Sequence, residues 1–530
     1  MTPRWMSRRA LALPAAALLA PLAWVGLRGG AETVQQYAEA HRRAAMYPDY
    51  SDIVVPPNLA PLNVQVLEPG RKFRLRISAA AGAPLDVFDT GGDMRIPLGG
   101  WRKLLDANRG GELRMDIYVK GEAGWTHFDT ARNRIAEEEI DPYVVYRYIP
   151  PIYDKWDQIS LRQRDLRSFD ERVLFDNQRD SDGRSVEGVC LNCHTFLNHR
   201  ADRMLVHIRP GRSSQIPAMI LVRQGRAGKV DTRDGLSAAA AYTAWHPSGK
   251  LLAFSRNRIM QMFHTAGGEV REVVDRDSDL GLYVLDTGRM YTLPQISRPD
   301  RLETFPAWSP DGKYLYFCSA PLLWHDKNAP LEYDKVQYDL ARIAYDEATG
   351  KWGQVETVVA ATQLGKSVSL PQISPDGRFL MFAGHDYGSF PIFQPSSDLY
   401  LLDLSQGKAA PRRLDEINSP RSDSYHSWSS NSRWVIFTSK REDGVFGRFY
   451  ISHLEAGGRF SKPFVMPQQD PTFYSRCLMT FNRPELLLEP VTVSAAELTR
   501  AMATRTTSPA YSAPVGTDVP WQPASVVRRK

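Results

Sequence analysis

The stretch "FPAWSPDGKYLYFCS", residues 305–319, is the most informative part of the sequence about the fold. A short segment ending in Trp308 is followed by a Ser-Pro-Asp-Gly turn and then by an apolar segment that contains Phe317. Pro, Asp and Gly favour tight turns, and aromatic and β-branched residues favour strands. The stretch therefore predicts two antiparallel strands joined by a turn.

The same pattern occurs three more times, so the chain contains an internal repeat. The copies are YTAWHPSGKLLAFS (242–255), LPQISPDGRFLMFAG (370–384) and YHSWSSNSRWVIFTS (425–439). A further strand is predicted to begin near Asp279, Asp339 and Asp398. Units of three or four short strands with a period of roughly 60 residues are typical of the blades of a β-propeller.

A fifth unit is visible at "VCLNCHTFLNHRADRMLVHIRP", residues 189–210. In this alignment His207 takes the place of a phenylalanine that the other copies share, namely Phe254, Phe317, Phe382 and Phe437. Residues 468–490, with part of 141–188, could complete a sixth unit. The sequence thus predicts an all-β protein with a five- or six-bladed propeller over residues 189–490.

The other segments have different patterns. Residues 50–148 alternate between apolar and polar residues and predict an antiparallel β-sandwich. Residues 31–46 are interpreted as a short helix, 149–188 as a connector, and 491–530 as a disordered tail.

Residues 1–30 have the pattern of a targeting segment. Arg4, Arg8 and Arg9 precede an apolar run from Ala10 to Leu27. This pattern fits a cleaved signal peptide or a retained membrane anchor, and either one places the body of the protein in the periplasm. Without this segment the net charge falls from +6 to +2, which gives no support for a nucleic-acid partner.

Cys190, Cys193 and His194 form a Cys-x-x-Cys-His string. Two thiols at this spacing can each bond one vinyl group of a haem, and the adjacent imidazole can bind its iron. A zinc site needs a second pair of ligands, but Cys318 and Cys477 stand alone, although they could form a disulfide with each other. The sequence therefore predicts one haem c, with thioether bonds to the first two residues and His194 as the proximal iron ligand.

The residue on the other side of the iron is less well defined. His264 is the first choice as the distal ligand, because its predicted loop belongs to the blade next to the haem string. The alternatives are His207, Met262, His385, His426 or an open coordination position. His325 lies in a similar loop.

An acidic cluster at Asp275, Asp277 and Asp279 resembles a calcium-binding loop. It lacks the central Gly and the distal Glu of such loops. Asp279 is also a repeat position, so these residues are interpreted as structural.

Four stretches support a family resemblance: "CLNCHTF", "AWHPSGKLLAFS", "DYGSFPIF" and "SYHSWSSNSRWVIFTSKREDG". Over residues 50–490 the chain resembles exported bacterial TolB-like propeller proteins that carry a single Cys-x-x-Cys-His string. The resemblance implies export, a propeller and haem c at this string. That group is expected to have "PIWH" where this chain has Pro391-Ile392-Phe393-Gln394, which argues against a general iron ligand at this place.

These observations lead to one main function and two alternatives. The main prediction is an exported monohaem c-type cytochrome-like protein that serves electron transfer or redox-linked binding with a redox partner protein or a periplasmic protein complex. The first alternative is a non-catalytic interaction propeller with a structural or sensory haem. The second is an oxidoreductase whose substrate enters the axial channel.

Overall fold

A computed structural model describes residues 34–150, 158–176, 189–210, 218–231, 240–264, 271–324, 332–407 and 410–503. The predicted signal or anchor at 1–30, His325 and residues 504–530 lie outside the described residues. The backbone of Cys190 is described, but its side chain is not.

Within the described ranges, six four-stranded antiparallel sheets account for most of the chain after residue 142, and we number them blades 1 to 6. The prediction of an all-β protein is thereby confirmed. Blade 1 contains β11 (Tyr143–Ile149), β12 (Ser160–Asp165), β13 (Glu171–Asp176) and β34 (Thr480–Leu487). Blade 2 contains β14 (Val189–Leu197), β15 (Arg200–Pro210), β16 (Ala218–Arg223) and β17 (Arg226–Asp231). Blade 3 contains β18 (Ala240–Trp245), β19 (Leu251–Phe263), β20 (Arg271–Val284) and β21 (Arg289–Tyr291).

The remaining three blades follow the same order along the chain. Blade 4 contains β22 (Arg301–Trp308), β23 (Tyr314–Pro321), β24 (Asp339–Asp346) and β25 (Lys351–Val359). Blade 5 contains β26 (Ser367–Ile373), β27 (Phe379–His385), β28 (Asp398–Asp403) and β29 (Arg412–Arg413). Blade 6 contains β30 (Asp423–Trp428), β31 (Trp434–Ser439), β32 (Arg448–His453) and β33 (Phe464–Val465).

The six blades form a closed ring. One edge strand of each blade contacts the corresponding strand of the next blade, in the order β14, β18, β22, β26, β30, β34 and back to β14. We call these six the inner strands. A ring of four-stranded sheets around a common axis is the arrangement of a β-propeller. Its blade number is six, the larger of the two numbers predicted.

Blade 1 is built from two distant parts of the chain. Its inner strand, β34, comes from the end of the described chain and pairs with β11 in antiparallel fashion. Strands β12 and β13 lie within residues 149–188, the segment that the sequence analysis interprets as a connector.

The predicted turns are held by side chains of the repeat. In blade 4 the Ser309 hydroxyl donates to Asp311 Oδ1 at 2.6 Å and accepts from the Tyr314 amide at 3.0 Å. Gly312 closes the turn with a φ of 73°, which a residue without Cβ adopts at little cost. In blade 6 the residue in its place is Ser432, with a φ of 60°.

A smaller set of strands precedes the ring. The strands of the first of two sheets are β1 (Ala38–Glu39), β3 (Val54–Val55), β5 (Lys72–Ala79), β6 (Leu85–Asp89), β8 (Glu112–Gly121), β9 (Gly124–His127) and β10 (Ala131–Ile135). The strands of the second are β2 (Met46–Tyr47), β4 (Val64–Val66) and β7 (Asp93–Met94). The interpretation of residues 31–46 as a helix is wrong for the described part, because β1 pairs with β9 and the Tyr37 ring packs on Tyr118 at 5.3 Å.

One hydrophobic core joins this smaller part to blades 1, 5 and 6. Trp434 of blade 6 is fully buried, and its indole N–H donates to the Glu138 carbonyl at 3.1 Å. The Tyr50 hydroxyl donates to the Val465 carbonyl at 3.2 Å. The two parts therefore share buried contacts as well as the chain connection.

The described structure also contains four α-helices: α1 (Leu98–Asp106), α2 (Ala361–Leu364), α3 (Phe473–Arg476) and α4 (Ala495–Ala503). Helix α4 lies in the segment expected to be a disordered tail, and it contacts β13 and β17. Among the described helices, none has both the length and the apolar character needed to cross a membrane. Cys318 and Cys477 are buried free thiols, so the disulfide that the sequence left open is not formed.

Candidate functional site

Each inner strand has a bulge at the same place, where two of its residues lie opposite one residue of the neighbouring strand. In β14 the two bulge residues are Asn192 and Cys193, and the residue opposite them is His207. His194 is the first residue after the bulge. The Cys-x-x-Cys-His string therefore lies at the irregular point of its strand.

In the other five inner strands the first bulge residue has a positive φ. These residues are Tyr242 (46°), Phe305 (53°), Leu370 (55°), Tyr425 (46°) and Arg483 (51°). The ring centroids of Tyr242 and Phe305 are 4.3 Å apart, and the Arg483 guanidinium carbon is 6.0 Å from the Tyr242 ring centroid. We call this set the axial plug, because its members from five strands meet at the axis.

A cavity of about 180 Å³ lies on one side of the axial plug, and we call it the Cys193 cavity. Cys193, His207, Arg147 and Arg483 are among its lining residues. The Cys193 thiol is free and only 4% exposed. The string therefore presents one of its two thiols to an internal space near the axis.

His207 occupies a position that is aromatic in every other blade. The register confirms the alignment made from the sequence, and the matching residues are Tyr146, Phe254, Phe317, Phe382 and Phe437. All of these side chains are buried, and His207 is buried as well. A polar imidazole thus replaces an apolar ring next to Cys193.

His194 points away from the Cys193 cavity. Its side chain is fully buried, and its Nε2 lies 3.3 Å from the carbonyl oxygen of Val145 in blade 1. Its Nδ1 has no hydrogen-bond partner among the described residues. Burial, with the positive charges of Arg483 and Arg147, holds the pKa of His194 well below its usual range. The imidazole is therefore neutral at pH 7, which is the form that binds iron.

The donor types fit a haem, but their arrangement in this structure does not. Consecutive residues of a strand point to opposite sides, and the structure follows this rule: Cys193 lines the cavity, while His194 packs against Val145. The cavity volume of about 180 Å³ also falls short of the roughly 300–1,000 Å³ that drug-sized ligands require. Binding of a haem at this string requires β14 to change its conformation around the bulge.

The predicted distal ligands lie in different places. His207 is a lining residue of the Cys193 cavity, whereas His264 and Met262 are not among its described lining residues. The His264 side chain is 42% exposed, and its Nε2 lies 4.0 Å from Glu272 Oε2. The structure brings His207, but not His264, beside Cys193.

His385 and His426 have protein partners of their own. His385 contacts the Tyr387 carbonyl at 2.8 Å and the Ser369 hydroxyl at 3.0 Å. His426 Nε2 lies 3.0 Å from the Met381 carbonyl. Burial lowers the pKa of each imidazole to about 4.

The acidic cluster in β20 is held by hydrogen bonds. The Asp275 carboxyl accepts from the Asn257 amide at 2.8 Å, the Ser389 hydroxyl at 2.7 Å and the Tyr338 hydroxyl at 3.2 Å. Burial raises the pKa of Asp275. Among all described residues, no three His, Cys, Asp or Glu side chains form a group that could hold a metal ion.

A larger space of about 500 Å³ lies on the other side of the axial plug, and we call it the mouth pocket. It lies between the C-terminal halves of the inner strands. Trp245, Trp308 and Trp428 are among its wall residues, and Arg483 and Glu485 line it near the axial plug. Arg483 also lines the Cys193 cavity, so this residue borders both spaces.

Glu485 is the acidic residue nearest to this arginine in the sequence. Its Oε2 accepts from the Phe196 amide at 3.0 Å. Burial raises its pKa to about 8, and the attraction of Arg483 only partly opposes this shift. The carboxyl is therefore mostly protonated at pH 7, and it neutralises little of the charge of Arg483.

Arg147, Arg483 and Glu485 are not predicted as site residues from the sequence. A signal was available for Arg483, because the repeats begin with the plug residues Tyr242, Phe305, Leu370 and Tyr425. The segment "RPEL" (483–486) continues this series. In this segment no Ser-Pro-Asp-Gly type turn follows, because β34 is the last strand of its blade along the chain. The repeat pattern is therefore too short here to recognise.

No family model matches the chain, and no curated protein sequence matches it. Solved structures do match. A chain of a nidogen/laminin complex is 7% identical, with 66% of this chain and 99% of that chain covered and a TM-score of 0.37. A prolyl endopeptidase is 13% identical, with 61% and 42% covered and a TM-score of 0.34. The Dos1 propeller is 8% identical, with 76% and 94% covered and a TM-score of 0.28.

This chain spans less than half of the prolyl endopeptidase chain that it matches. The matches are to β-rich proteins, one of which is described as a propeller. At these identities and TM-scores they carry no information on activity, and it is the strand topology that shows the fold.

Proposed function

We propose that this is an exported protein that carries one haem c on Cys190 and Cys193 and passes single electrons to a redox partner protein. The observation that carries the proposal is the Cys-x-x-Cys-His string at the bulge of an inner strand, where Cys193 faces an internal cavity. A covalently held haem would supply one-electron chemistry.

The residues around the string support this proposal in two ways. His194 is neutral and keeps one ring nitrogen without a hydrogen bond among the described residues, as an iron ligand requires. Arg147 and Arg483 place positive charge beside the Cys193 cavity, which suits an anionic group. The proposal also requires residues 190–194 to leave the strand conformation, since Cys193 and His194 point to opposite sides.

The direct test is a pyridine haemochrome spectrum of the full chain, produced together with cytochrome c maturation factors. We expect a covalent haem in the wild type, a vinyl signal from one unreacted group in Cys190→Ala or Cys193→Ala, and no attachment in the double variant. Cys318→Ala is the matched control and should behave as wild type, because this thiol is buried in blade 4. A wild-type protein without covalent haem would refute the proposal.

A second experiment concerns the iron ligands. We expect His194→Ala to keep the covalent haem but to lose the low-spin spectrum. His207→Ala should alter that spectrum and His264→Ala should leave it unchanged, because only His207 lies beside Cys193. An altered spectrum in His264→Ala alone would restore His264 as the distal ligand.

A second function, a binding propeller whose haem is structural or senses redox state, is favoured by the mouth pocket. This pocket lies on the other side of the axial plug from Cys193, and its volume of about 500 Å³ suits a small ligand. Electron transfer requires haem attachment, whereas ligand binding at the mouth pocket does not.

A further inference from the structure

The mouth pocket has the size of a small-molecule site. Its volume of about 500 Å³ lies within the roughly 300–1,000 Å³ of such sites. It is lined by residues of all six inner strands or of the turns that follow them. A ligand in this space would therefore contact every blade.

The walls of the mouth pocket are rich in aromatic side chains. Trp245, Trp308 and Trp428 come from matching positions of blades 3, 4 and 6. Tyr242 and Phe305 of the axial plug also line the pocket. Aromatic walls of this kind favour the flat apolar body of a ligand.

The axial plug adds one strong positive charge to this apolar space. Arg483 is half-buried, it lines the pocket, and no described carboxylate forms an ion pair with it. Its guanidinium carbon lies 6.0 Å from the Tyr242 ring centroid. Burial opposes the charge of Arg483, but the attraction of Cys193 and Glu485 raises its pKa on balance. A half-buried cation without an ion-pair partner is partly desolvated, and a bound anion would offset that cost.

The neighbouring groups leave this charge in place. Glu485 holds the Phe196 amide and is mostly protonated at pH 7. His426, which also lines the pocket, is neutral at this pH. The guanidinium presents paired N–H donors, and a carboxylate is the organic anion that matches them.

We propose that the mouth pocket binds an organic carboxylate, with the carboxylate on Arg483 and an apolar body against the tryptophans. The carboxylate belongs either to a free small acid or to the C-terminus of a peptide. This inference does not depend on haem at the Cys-x-x-Cys-His string, so either can fail without the other.

The test is titration of the full chain with 3-phenylpropionate and with its neutral amide, followed by calorimetry and by tryptophan fluorescence. We expect the acid to bind and to change the fluorescence, and the amide to bind at least about tenfold more weakly, as loss of one charge-assisted contact predicts. The same titration is made with a short peptide that ends in Phe, with a free and with an amidated C-terminus. Comparing its affinity with that of 3-phenylpropionate shows whether the site prefers a peptide C-terminus or a free small acid.

Two variants of one residue make the test specific. Arg483→Asn removes the charge with a residue that tolerates positive φ, and Arg483→Lys keeps the charge. We expect at least about a tenfold loss of acid binding in the first and partial retention in the second. Arg412→Asn, at an exposed arginine of blade 5, is the matched control.

The melting temperature of each variant shows that it is folded before binding is compared. Equal binding of acid and amide, unchanged binding in Arg483→Asn, or absence of binding to either carboxylate source would overturn the proposal.

Discussion

β14 and the other five inner strands use the same bulge in different ways. In the other five, the first bulge residue takes a positive φ and enters the axial plug. In β14 the matching residue is Asn192. Asn192 is not one of the described residues that have a positive φ. The strand that carries Cys193 therefore contributes no plug residue, and a cavity lies beside it.

The position after the bulge shows a second contrast. Most blades have a small or neutral residue there, namely Ala244, Ala307, Gln372 and Ser427. The two remaining blades, which are neighbours in the ring, have His194 and Glu485. The repeat is thus interrupted on both sides of one blade interface, where this position holds an ionisable residue in each blade.

The largest expected effect on stability is a difference between a residue of the axial plug and the matching residue of β14. Phe305→Ala removes a buried ring packed on Tyr242 and should lower the free energy of unfolding by about 3–5 kcal/mol. Asn192→Ala removes a half-buried polar side chain and should cost less than about 1 kcal/mol. Equilibrium unfolding in urea measures both. If both variants lost the same free energy of unfolding, Asn192 of β14 would contribute to the packing at the axis as much as a residue of the axial plug does.

A smaller effect, which depends on pH, is expected at Glu485. Its pKa is raised by burial from 4.5 to about 8 in the folded protein. The folded state therefore keeps a proton that the unfolded state releases, and stability falls as the pH rises from about 4.5 to about 8. Glu485→Gln keeps the acceptor for the Phe196 amide but has no such dependence.

We therefore expect Glu485→Gln to match the wild type at pH 4 and to be more stable at pH 8.5, by on the order of 2 kcal/mol, since the side chain is partly open to the mouth pocket. Thermal unfolding at the two pH values measures the difference. A constant difference across this range would show that the carboxyl does not titrate as described.

The smallest effect is expected at Gln372, which takes the same position in blade 5. Because Ala244 and Ala307 occupy this position in two other blades, Gln372→Ala should change the free energy of unfolding by no more than about 0.5 kcal/mol. Its carbonyl would still accept from the Trp428 indole at 3.4 Å. A large loss in the same urea assay would show that the blades are not equivalent here.

The sequence predicted the repeat well because its signals are local. The Ser-Pro-Asp-Gly turns and the apolar second strands form as expected, and Asp339 and Asp398 begin β24 and β28. Asp279 instead lies inside β20, because the hairpin of blade 3 is longer than the repeat suggested.

The parts that the sequence did not reveal depend on distant contacts. Strands β11 and β12 lie in an aromatic and charged segment without a steady period, because they pack against several different parts of the chain. The string at Cys190 to His194 was located from spacing alone. The alternation of a strand predicts that Cys193 and His194 point to opposite sides, but the bulge at Asn192 and Cys193 has no local signal in the sequence.

The closing strand β34 has a consequence for how the protein folds. Blade 1 is complete only when the two ends of the ring meet, and near this junction the Val491 amide donates to Gln163 across 328 residues of chain. Contacts between residues so far apart form late and slow the folding of β-rich proteins. Until β34 arrives, the edge of β11 is open to pairing with another chain. The strand that completes the ring is thus also its protection against edge-to-edge association.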